Sequence, residues 1–183
     1  MDRALVERAQ RGDRDAYEQL ARDVAPRLFL VAGRIVRDID VAEDAVQHTL
    51  IAIWQDLATL RDPDRFEAWS YRIVVRACRE EARRHRRLGV TLVDLADSMA
   101  AATDAIAEVA VRDQLGRAFE RLSHDHRTVV VLHHLVGLPL GEIAEILDIP
   151  YGTVGTRLHH AMRALRAAIE ATERVAVQGR QPA

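Results

Sequence analysis

Apolar residues recur three and four positions apart along most of this chain, which is the spacing of helices that bury one face. No window shows the sustained two-residue alternation that is typical of strands. The pattern therefore predicts an all-α protein. The predicted helices cover 14–36, a segment beginning at Asp38 or Asp40, 63–87, 105–121, 124–136, 140–148 and 151–173.

Short polar residues mark where several of these helices begin. Asp13 and Ser123 each precede a periodic segment, as N-cap residues do, and Asp38 or Asp40 is placed to do the same. Pro63 suits the first turn of the long helix 63–87, because its missing N–H costs nothing there.

Two of the predicted helices show a distinct apolar stripe. In the helix that follows Asp38 or Asp40, the stripe consists of Val46, Leu50, Ile53, Trp54 and Leu57. In the helix 63–87, the residues predicted to be buried are Phe66, Trp69, Ile73 and Ala77.

Charge divides the chain into segments, although the formal net charge of all 183 residues is only −2. Residues 72–87 carry seven arginines against two glutamates, whereas residues 88–111 carry four acids and no base. A basic block followed by an acidic, alanine-rich stretch predicts two modules and a linker. We therefore expect two small helical domains joined by an acidic flexible linker. The predicted boundaries are 1–87 for the first domain, 88–104 for the linker, 105–173 for the second domain and 174–183 for a tail.

A row of arginines follows one flank of the predicted helix 63–87. Its members are four, three, four and three residues apart, so all fall within about 80° of one another. They are Arg72, Arg76, Arg79, Arg83 and Arg86. Over about 21 Å of helix, this row matches the run of phosphates along a nucleic-acid strand. Glu80 and Glu81 are the acids of this segment and neither lies in the row, so we favour a nucleic-acid-binding face over an ordinary solvated surface.

A helix-turn-helix pattern lies near the C-terminus, where residues 140–159 read LGEIAEILDIPYGTVGTRLH. Its apolar positions are Ile143, Leu147, Ile149, Val154 and Leu158. Asp148 stands at the turn position that glycine usually holds, and aspartate tolerates the left-handed conformation better than most residues. The second helix of this motif enters the major groove, which makes it the candidate DNA reader. The polar residues on its outward half are Thr153, Thr156, Arg157, His160 and Arg163.

Three stretches together resemble the extracytoplasmic-function group of bacterial RNA polymerase sigma factors. They are DVAEDAVQHTLIAIWQDL (40–57), RFEAWSYRIVVRACREEARRHRR (65–87) and LSHDHRTVVVLHHLVGLPLGEIAEILDIPYGTVGTRLHHAMRALR (122–166). The resemblance covers both modules in order. It implies a sigma factor that binds core RNA polymerase and directs promoter-specific transcription initiation by recognising −10 and −35 elements.

The resemblance also implies roles for particular residues. It assigns Glu43, Asp44 and Gln47 to the clamp of the polymerase's largest subunit. It assigns −10 recognition and melting to Phe66, Trp69, Tyr71, Arg72, Arg76 and Arg79, and the arginine row extends this set to Arg83 and Arg86. It assigns −35 recognition to Thr153, Thr156, Arg157, His160 and Arg163. It further implies an anti-sigma factor as a partner.

The chain departs from the family pattern at several positions. Gly155 and His160 stand where the family commonly has fixed positive charge, so −35 affinity or sequence preference is expected to differ. His48 replaces the family's glutamate after Gln47, in the segment that is expected to meet the polymerase.

Composition excludes several other classes of protein. A single cysteine, Cys78, excludes a disulfide framework, and no apolar run approaches the ~18 residues of a membrane span. Neither the pair His124 and His126 nor the pair His133 and His134 has the i, i+4 spacing of a helical zinc pair. We therefore expect no metal, no cofactor, no small-molecule substrate and no enzymatic activity, and a cytoplasmic protein without membrane insertion. The alternative function is a stand-alone helix-turn-helix regulator, which would bind DNA tightly without polymerase.

Overall fold

A computed structural model of the chain describes residues 1–87 and 116–178, with side chains described as far as residue 171. All regular structure in these ranges is helical, and none of it is strand. Residues 116–120 are also helical. The α-helices with defined ends are α1 (Arg3–Gln10), α2 (Arg14–Val36), α3 (Ile39–Asp56), α4 (Phe66–Arg87), α5 (His124–Val130), α6 (Leu140–Leu147) and α7 (Tyr151–Gln178).

The predicted N-caps are confirmed by their hydrogen bonds. The carboxylate of Asp13 accepts from the backbone N–H of Ala16 at 3.0 Å, which starts α2. Asp38, rather than Asp40, caps α3, and the hydroxyl of Ser123 caps α5. Each cap satisfies a backbone N–H that has no partner within its own helix.

Helices α2, α3 and α4 pack together as the N-terminal module (residues 1–87), and α1 lies against α2. Sequence periodicity did not single out α1, because eight residues give too short a pattern to stand out. Its Leu5, Val6 and Ala9 are nevertheless buried, and the carboxylate of Asp2 caps its first turn. Two short 3₁₀ turns, Leu57–Thr59 and Pro63–Arg65, connect α3 to α4.

The buried face of α4 differs from the predicted stripe. Phe66 and Ala77 are buried as expected, but Trp69 and Ile73 are only partly covered. The face turned into the core consists of Phe66, Ser70, Tyr71, Val74, Val75, Ala77, Cys78 and Glu81. Because α4 is covered on more than one side, its buried face is wider than a single stripe, and small or polar residues such as Ser70 lie within it.

The C-terminal module (described from residue 116) contains the helix-turn-helix. Helices α6 and α7 pack against each other around buried Ile143 and Val154. Asp148 ends α6 with φ 53° and ψ 50°, which confirms the left-handed turn expected there. The helix predicted over 124–136 is interrupted, because α5 ends at Val130 and a wider π-helical turn follows over Val131–Leu135.

The two modules share one buried core, which the sequence did not predict. Val129, Val131, Leu132, Ile143 and Val154 of the C-terminal module belong to the same apolar cluster as the core of the N-terminal module. Helix α4 packs against α6, and α2 packs against α5 and the turn that follows it.

Several expectations fall on residues that the structure does not describe. They are the linker at 88–104, the first part of the helix expected at 105–121, and the end of the tail. Within the described ranges, no helix has both the length and the apolar character needed to span a bilayer.

The conformation of Asp148 gives a test of the helix-turn-helix geometry. Asp148→Val should lower the free energy of unfolding by about 1–2 kcal/mol, because a β-branched side chain is strained at positive φ. Asp148→Gly is the matched control and should lose no stability, because glycine adopts this conformation freely. Chemical denaturation followed by circular dichroism measures both. Equal losses in the two variants would contradict a left-handed turn at this position.

Candidate nucleic-acid and protein interfaces

The arginine row is present on the solvent side of α4. Arg72, Arg76, Arg83 and Arg86 are exposed, and Arg79 is partly covered. The basic flank and the buried face are therefore separated as the sequence predicted. One part of the prediction is corrected, because Glu80 does offset the row: its carboxylate lies 3.0 Å from Nε of Arg76. Both side chains are well exposed, so this pair contributes little and leaves Arg76 free to exchange partners.

Two arginines, one in the turn before α4 and one in its first half, contact the C-terminal module. Arg65 Nη2 lies 2.6 Å from a carboxylate oxygen of Glu145 on α6. Arg72 Nη2 donates a hydrogen bond to the backbone carbonyl of the same residue. Arg65 therefore contacts the side chain of Glu145, and Arg72 contacts its main chain.

Two of the three aromatic residues assigned to DNA are core residues, which corrects their assignment. Phe66 has no exposed surface, and Tyr71 is 6% exposed. A ring without accessible surface cannot stack on a base, and both rings are needed to fill the core beneath α4. Trp69 is partly exposed and packs against Phe66 with 6.1 Å between ring centroids, so it stays a candidate contact.

The polar residues of α7 fall into two groups by exposure. Thr156, His160 and Arg163 are exposed, whereas Thr153 and Arg157 are partly covered. Arg157 is covered because its Nη2 lies 2.7 Å from Asp125 of α5. The hydroxyl of Thr156 donates to the carbonyl of Gly152 at 2.8 Å, so it is already used within the helix.

Sequence reasoning missed Tyr151, the first residue of α7. Its side chain is 62% exposed at the end of the helix that is expected to approach bases. Helical spacing gave no signal for this exposure, because Tyr151 lies three and seven residues before the apolar Val154 and Leu158 and so looks like a member of the buried stripe.

Asp125 joins the two candidate DNA surfaces. Its carboxylate contacts Arg157 of the helix-turn-helix at 2.7 Å and Arg79 of the arginine row at 3.5 Å. Arg37, which ends α2, adds a less exposed pair with Glu120 at 2.6 Å. We call this docking of the C-terminal module on α2 and α4 the closed arrangement. In it, Asp125 occupies two guanidinium groups, of Arg79 and Arg157, that were predicted to meet phosphates or bases.

Burial also changes the ionisation of a histidine at this contact. The pKa of His124 falls to about 4, first because the side chain is desolvated and then because Arg127, Arg79 and Arg86 lie nearby. His124 is therefore neutral at neutral pH. A neutral imidazole avoids one more positive charge where the C-terminal module meets the arginine row.

The predicted polymerase-binding residues lie on the outer side of α3. Glu43 and Gln47 are exposed, and Asp44 is partly exposed. The same side continues into Ile51 and Trp54, which are 46% and 50% exposed.

The exposure of Trp54 corrects its assignment to the buried stripe of α3. Its ring is held edge-on against Tyr17 of α2, with 4.6 Å between centroids. The hydroxyl of Tyr17 in turn donates to the carbonyl of Leu50 at 2.6 Å. Exposed apolar residues next to polar ones are typical of a protein-binding surface, so α3 presents a candidate protein interface.

Comparison with known families finds a separate match for each of the two modules. The family described as Sigma-70 region 2 matches residues 20–88, and Sigma-70, region 4 matches residues 112–165. The ECF RNA polymerase sigma factor SigW of Bacillus subtilis is 26% identical over 179 residues, covering 91% of this chain and 95% of the relative. The ECF RNA polymerase sigma-E factor of Escherichia coli strain K12 is 30% identical over 178 residues, covering 90% and 92%.

Solved structures show the same fold. CnrH, solved in complex with the cytosolic domain of CnrY, aligns with a TM-score of 0.66 and 28% identity, covering 93% of this chain and 97% of that one. RpoE of Bartonella quintana, solved in complex with the anti-sigma factor NepR, aligns with a TM-score of 0.70 and 22% identity, covering 84% and 96%.

The bridging role of Asp125 can be tested on the isolated chain. Asp125→Asn removes the negative charge that Arg79 and Arg157 share and one of the two oxygens they contact, so both ion pairs are lost and both guanidinium groups become more available to phosphates. We expect binding to a short DNA duplex to tighten by roughly two- to fivefold, because each exposed ion pair is worth about 0.2–1 kcal/mol. Fluorescence anisotropy at low salt measures the change.

A matched control separates this effect from net charge. Glu18→Gln on α2 also removes one negative charge, but Glu18 pairs with Arg14 on its own helix. It should bind DNA as the unmodified chain does. Equal tightening in both variants would mean that Asp125 acts only through net charge.

Proposed function

The chain belongs to the extracytoplasmic-function group of RNA polymerase sigma factors, and we propose that it binds core RNA polymerase and directs initiation at promoters through separate −10 and −35 surfaces. The observation that carries this proposal is the pairing of an arginine row with a helix-turn-helix in a chain of net charge −2. Such a chain has little long-range attraction for DNA, so it needs a larger assembly to supply affinity. A stand-alone regulator would need a stronger basic field, and it is not favoured because both sigma regions match in order.

For −10 recognition, we propose the arginine row together with Trp69. Arginines along about 21 Å of helix suit the phosphates of a separated strand, and the partly exposed ring of Trp69 suits an unpaired base. Phe66 and Tyr71 support this surface from beneath. The proposed contacts are Trp69, Arg72, Arg76, Arg79, Arg83 and Arg86.

For −35 recognition, we propose the outward half of α7. Arg157 suits bidentate hydrogen bonding to guanine, and the threonines suit phosphates or a thymine methyl group. The proposed contacts are Thr153, Thr156, Arg157, His160 and Arg163, with Tyr151 added from the structure. Because Arg157 is paired with Asp125 in the closed arrangement, its guanidinium group becomes available to a base only when that pair opens.

For polymerase binding, we propose the outer side of α3. Glu43, Asp44 and Gln47 supply polar contacts, and Ile51 and Trp54 supply apolar area next to them. This side faces away from the C-terminal module, since α4 and α2 form the contacts with that module. Polymerase can therefore engage the closed chain before the modules separate.

We also propose an anti-sigma factor as a partner. RpoE of Bartonella quintana, a protein of the same fold, is solved with an anti-sigma factor bound. A partner that stabilises the closed arrangement would keep Arg79 and Arg157 paired with Asp125 and so withhold one guanidinium group of each DNA surface.

Run-off transcription with purified bacterial core polymerase tests the proposed function. On promoters selected from random sequence, the chain should direct initiation from defined start sites, and core polymerase alone should not. Tight binding of the isolated chain to a palindromic duplex, without any effect on polymerase, would instead support a stand-alone regulator.

The −10 proposal predicts a particular salt dependence. Arg76→Ala combined with Arg79→Ala should lower promoter opening and reduce the slope of log affinity against log salt by about 1–2 for the holoenzyme, because one to two phosphate contacts are lost. Arg22→Ala on α2 is the control, since Arg22 is exposed outside the row, and it should change neither quantity. An unchanged slope in the double variant would mean that Arg76 and Arg79 do not contact phosphates.

The polymerase-binding proposal predicts an apolar contribution from α3. Ile51→Ala should weaken capture by core polymerase roughly fivefold, which corresponds to about 1 kcal/mol for a half-exposed side chain that becomes buried. Surface plasmon resonance on immobilised polymerase measures it. Circular dichroism serves as the control for folding, and capture equal to that of the unmodified chain would remove Ile51 from the interface.

A further inference from the structure

Four side chains meet where the first half of α3 lies against the last turns of α4. Asp44 and His48 are one turn apart on α3, and Glu81 and His85 are one turn apart on α4. Nε2 of His85 lies 3.6 Å from a carboxylate oxygen of Asp44, and Nδ1 of His48 lies 3.0 Å from Oε1 of Glu81. The two helices run antiparallel, so each carboxylate faces an imidazole across the helix pair.

Glu81 is the unusual member of this cluster, because its side chain is only 8% exposed. Its second carboxylate oxygen, Oε2, is buried without a hydrogen-bond partner, and so is Nδ1 of His85. A buried carboxylate oxygen without a partner costs free energy, so Oε2 of Glu81 calls for a ligand. Arg84 does not supply one, since its Nη1 lies 3.8 Å away and its side chain is 64% exposed.

We propose that this cluster binds one divalent first-row transition-metal ion. Asp44, Glu81 and His85 are the primary ligands, since each offers a ligand atom and these atoms lie within 4.8 Å of one another. Tetrahedral coordination with bonds of about 2.1 Å requires separations of about 3.4 Å, which small side-chain rotations can reach. Nδ1 of His48 lies 3.0 Å from Oε1 of Glu81 and so helps to position that carboxylate.

The donor set defines the class of ion. Imidazole nitrogen together with carboxylate oxygen suits zinc and its first-row neighbours, and the absence of thiolate argues against the soft cuprous ion. Two carboxylates also carry the charge that balances a divalent cation. Metal sites built from side chains on facing helices are a familiar use of helical bundles.

The prediction of no metal site considered only histidines paired with each other along one helix. This cluster instead pairs a histidine with a carboxylate at i, i+4 on each of two different helices. That spacing is visible in the sequence at Asp44 and His48 and at Glu81 and His85. What the sequence could not give is the antiparallel register that brings the two pairs together.

An ion at this position would tie α3 to α4, so it should be measurable as binding and as stability. In metal-free full-length chain, isothermal titration with Zn²⁺ should show one equivalent bound, and Co²⁺ should give visible absorption bands of low-symmetry coordination. Zn²⁺ should also raise Tm, because an ion that binds only the folded state stabilises it.

Two variants test the assigned ligands. Glu81→Gln and His85→Ala should each weaken Zn²⁺ binding by at least about tenfold and abolish the rise in Tm. Should either variant fail to fold, Asp44→Asn provides the same test at a partly exposed position.

The matched control is His134→Asn, which removes an exposed histidine of the C-terminal module. It should bind one equivalent of Zn²⁺ as the unmodified chain does. Zn²⁺ binding that is undiminished in both Glu81→Gln and His85→Ala, or a chain that takes up no stoichiometric ion, would overturn the proposal. The measurement uses no polymerase or DNA, so its outcome is independent of the proposed function.

Discussion

The contact between helix α4 and the C-terminal module determines which surfaces of this protein are available. Its strength comes from apolar burial, since residues such as Leu132, Ile143 and Val154 share one core with the N-terminal module. Full burial of such side chains contributes about 1.5–3 kcal/mol each, whereas exposed ion pairs contribute about 0.2–1 kcal/mol. The apolar core therefore holds the modules together, and the ion pairs through Asp125 and Glu145 set their orientation.

The same guanidinium groups serve two proposed purposes. Arg72, Arg79 and Arg157 contact acids or carbonyls of the chain itself in the closed arrangement, and they are the groups proposed to contact DNA when the modules part. Each contact within the chain is weak enough to be exchanged for a phosphate contact. Polymerase, which is proposed to bind the opposite side on α3, would supply the free energy that separates the modules.

Much of the fold could be predicted from the sequence because it depends on local chemistry. Asp13 and Ser123 cap their helices through hydrogen bonds over three residues, and Asp148 turns the chain within the motif. The arginine row could also be predicted, since helical spacing alone places its members on one flank.

The errors concern contacts between distant parts of the chain. Tyr71 was expected to contact DNA but is buried, and Trp54 was expected in the core but is exposed. Neighbouring helices determine which side of α3 or α4 is covered, and periodicity does not identify those neighbours. The docking of the C-terminal module could not be predicted from the sequence either. Arg65 and Glu145 are 80 positions apart, and each has the sequence context of an ordinary surface charge. The cluster of Asp44, Glu81 and His85 depends on the same kind of information, the register between two helices.

The most direct measurement is the distance between the two modules in the free chain and in the holoenzyme. Spin labels at cysteines introduced at Asp23 and Arg166, both exposed, report on that distance. Native Cys78 will not interfere, because it is buried and burial raises the pKa of its thiol to about 12. The free chain should give one narrow, short distance that lengthens when core polymerase binds. A distance that is already broad in the free chain, or that stays short in the holoenzyme, would contradict a closed arrangement that polymerase opens.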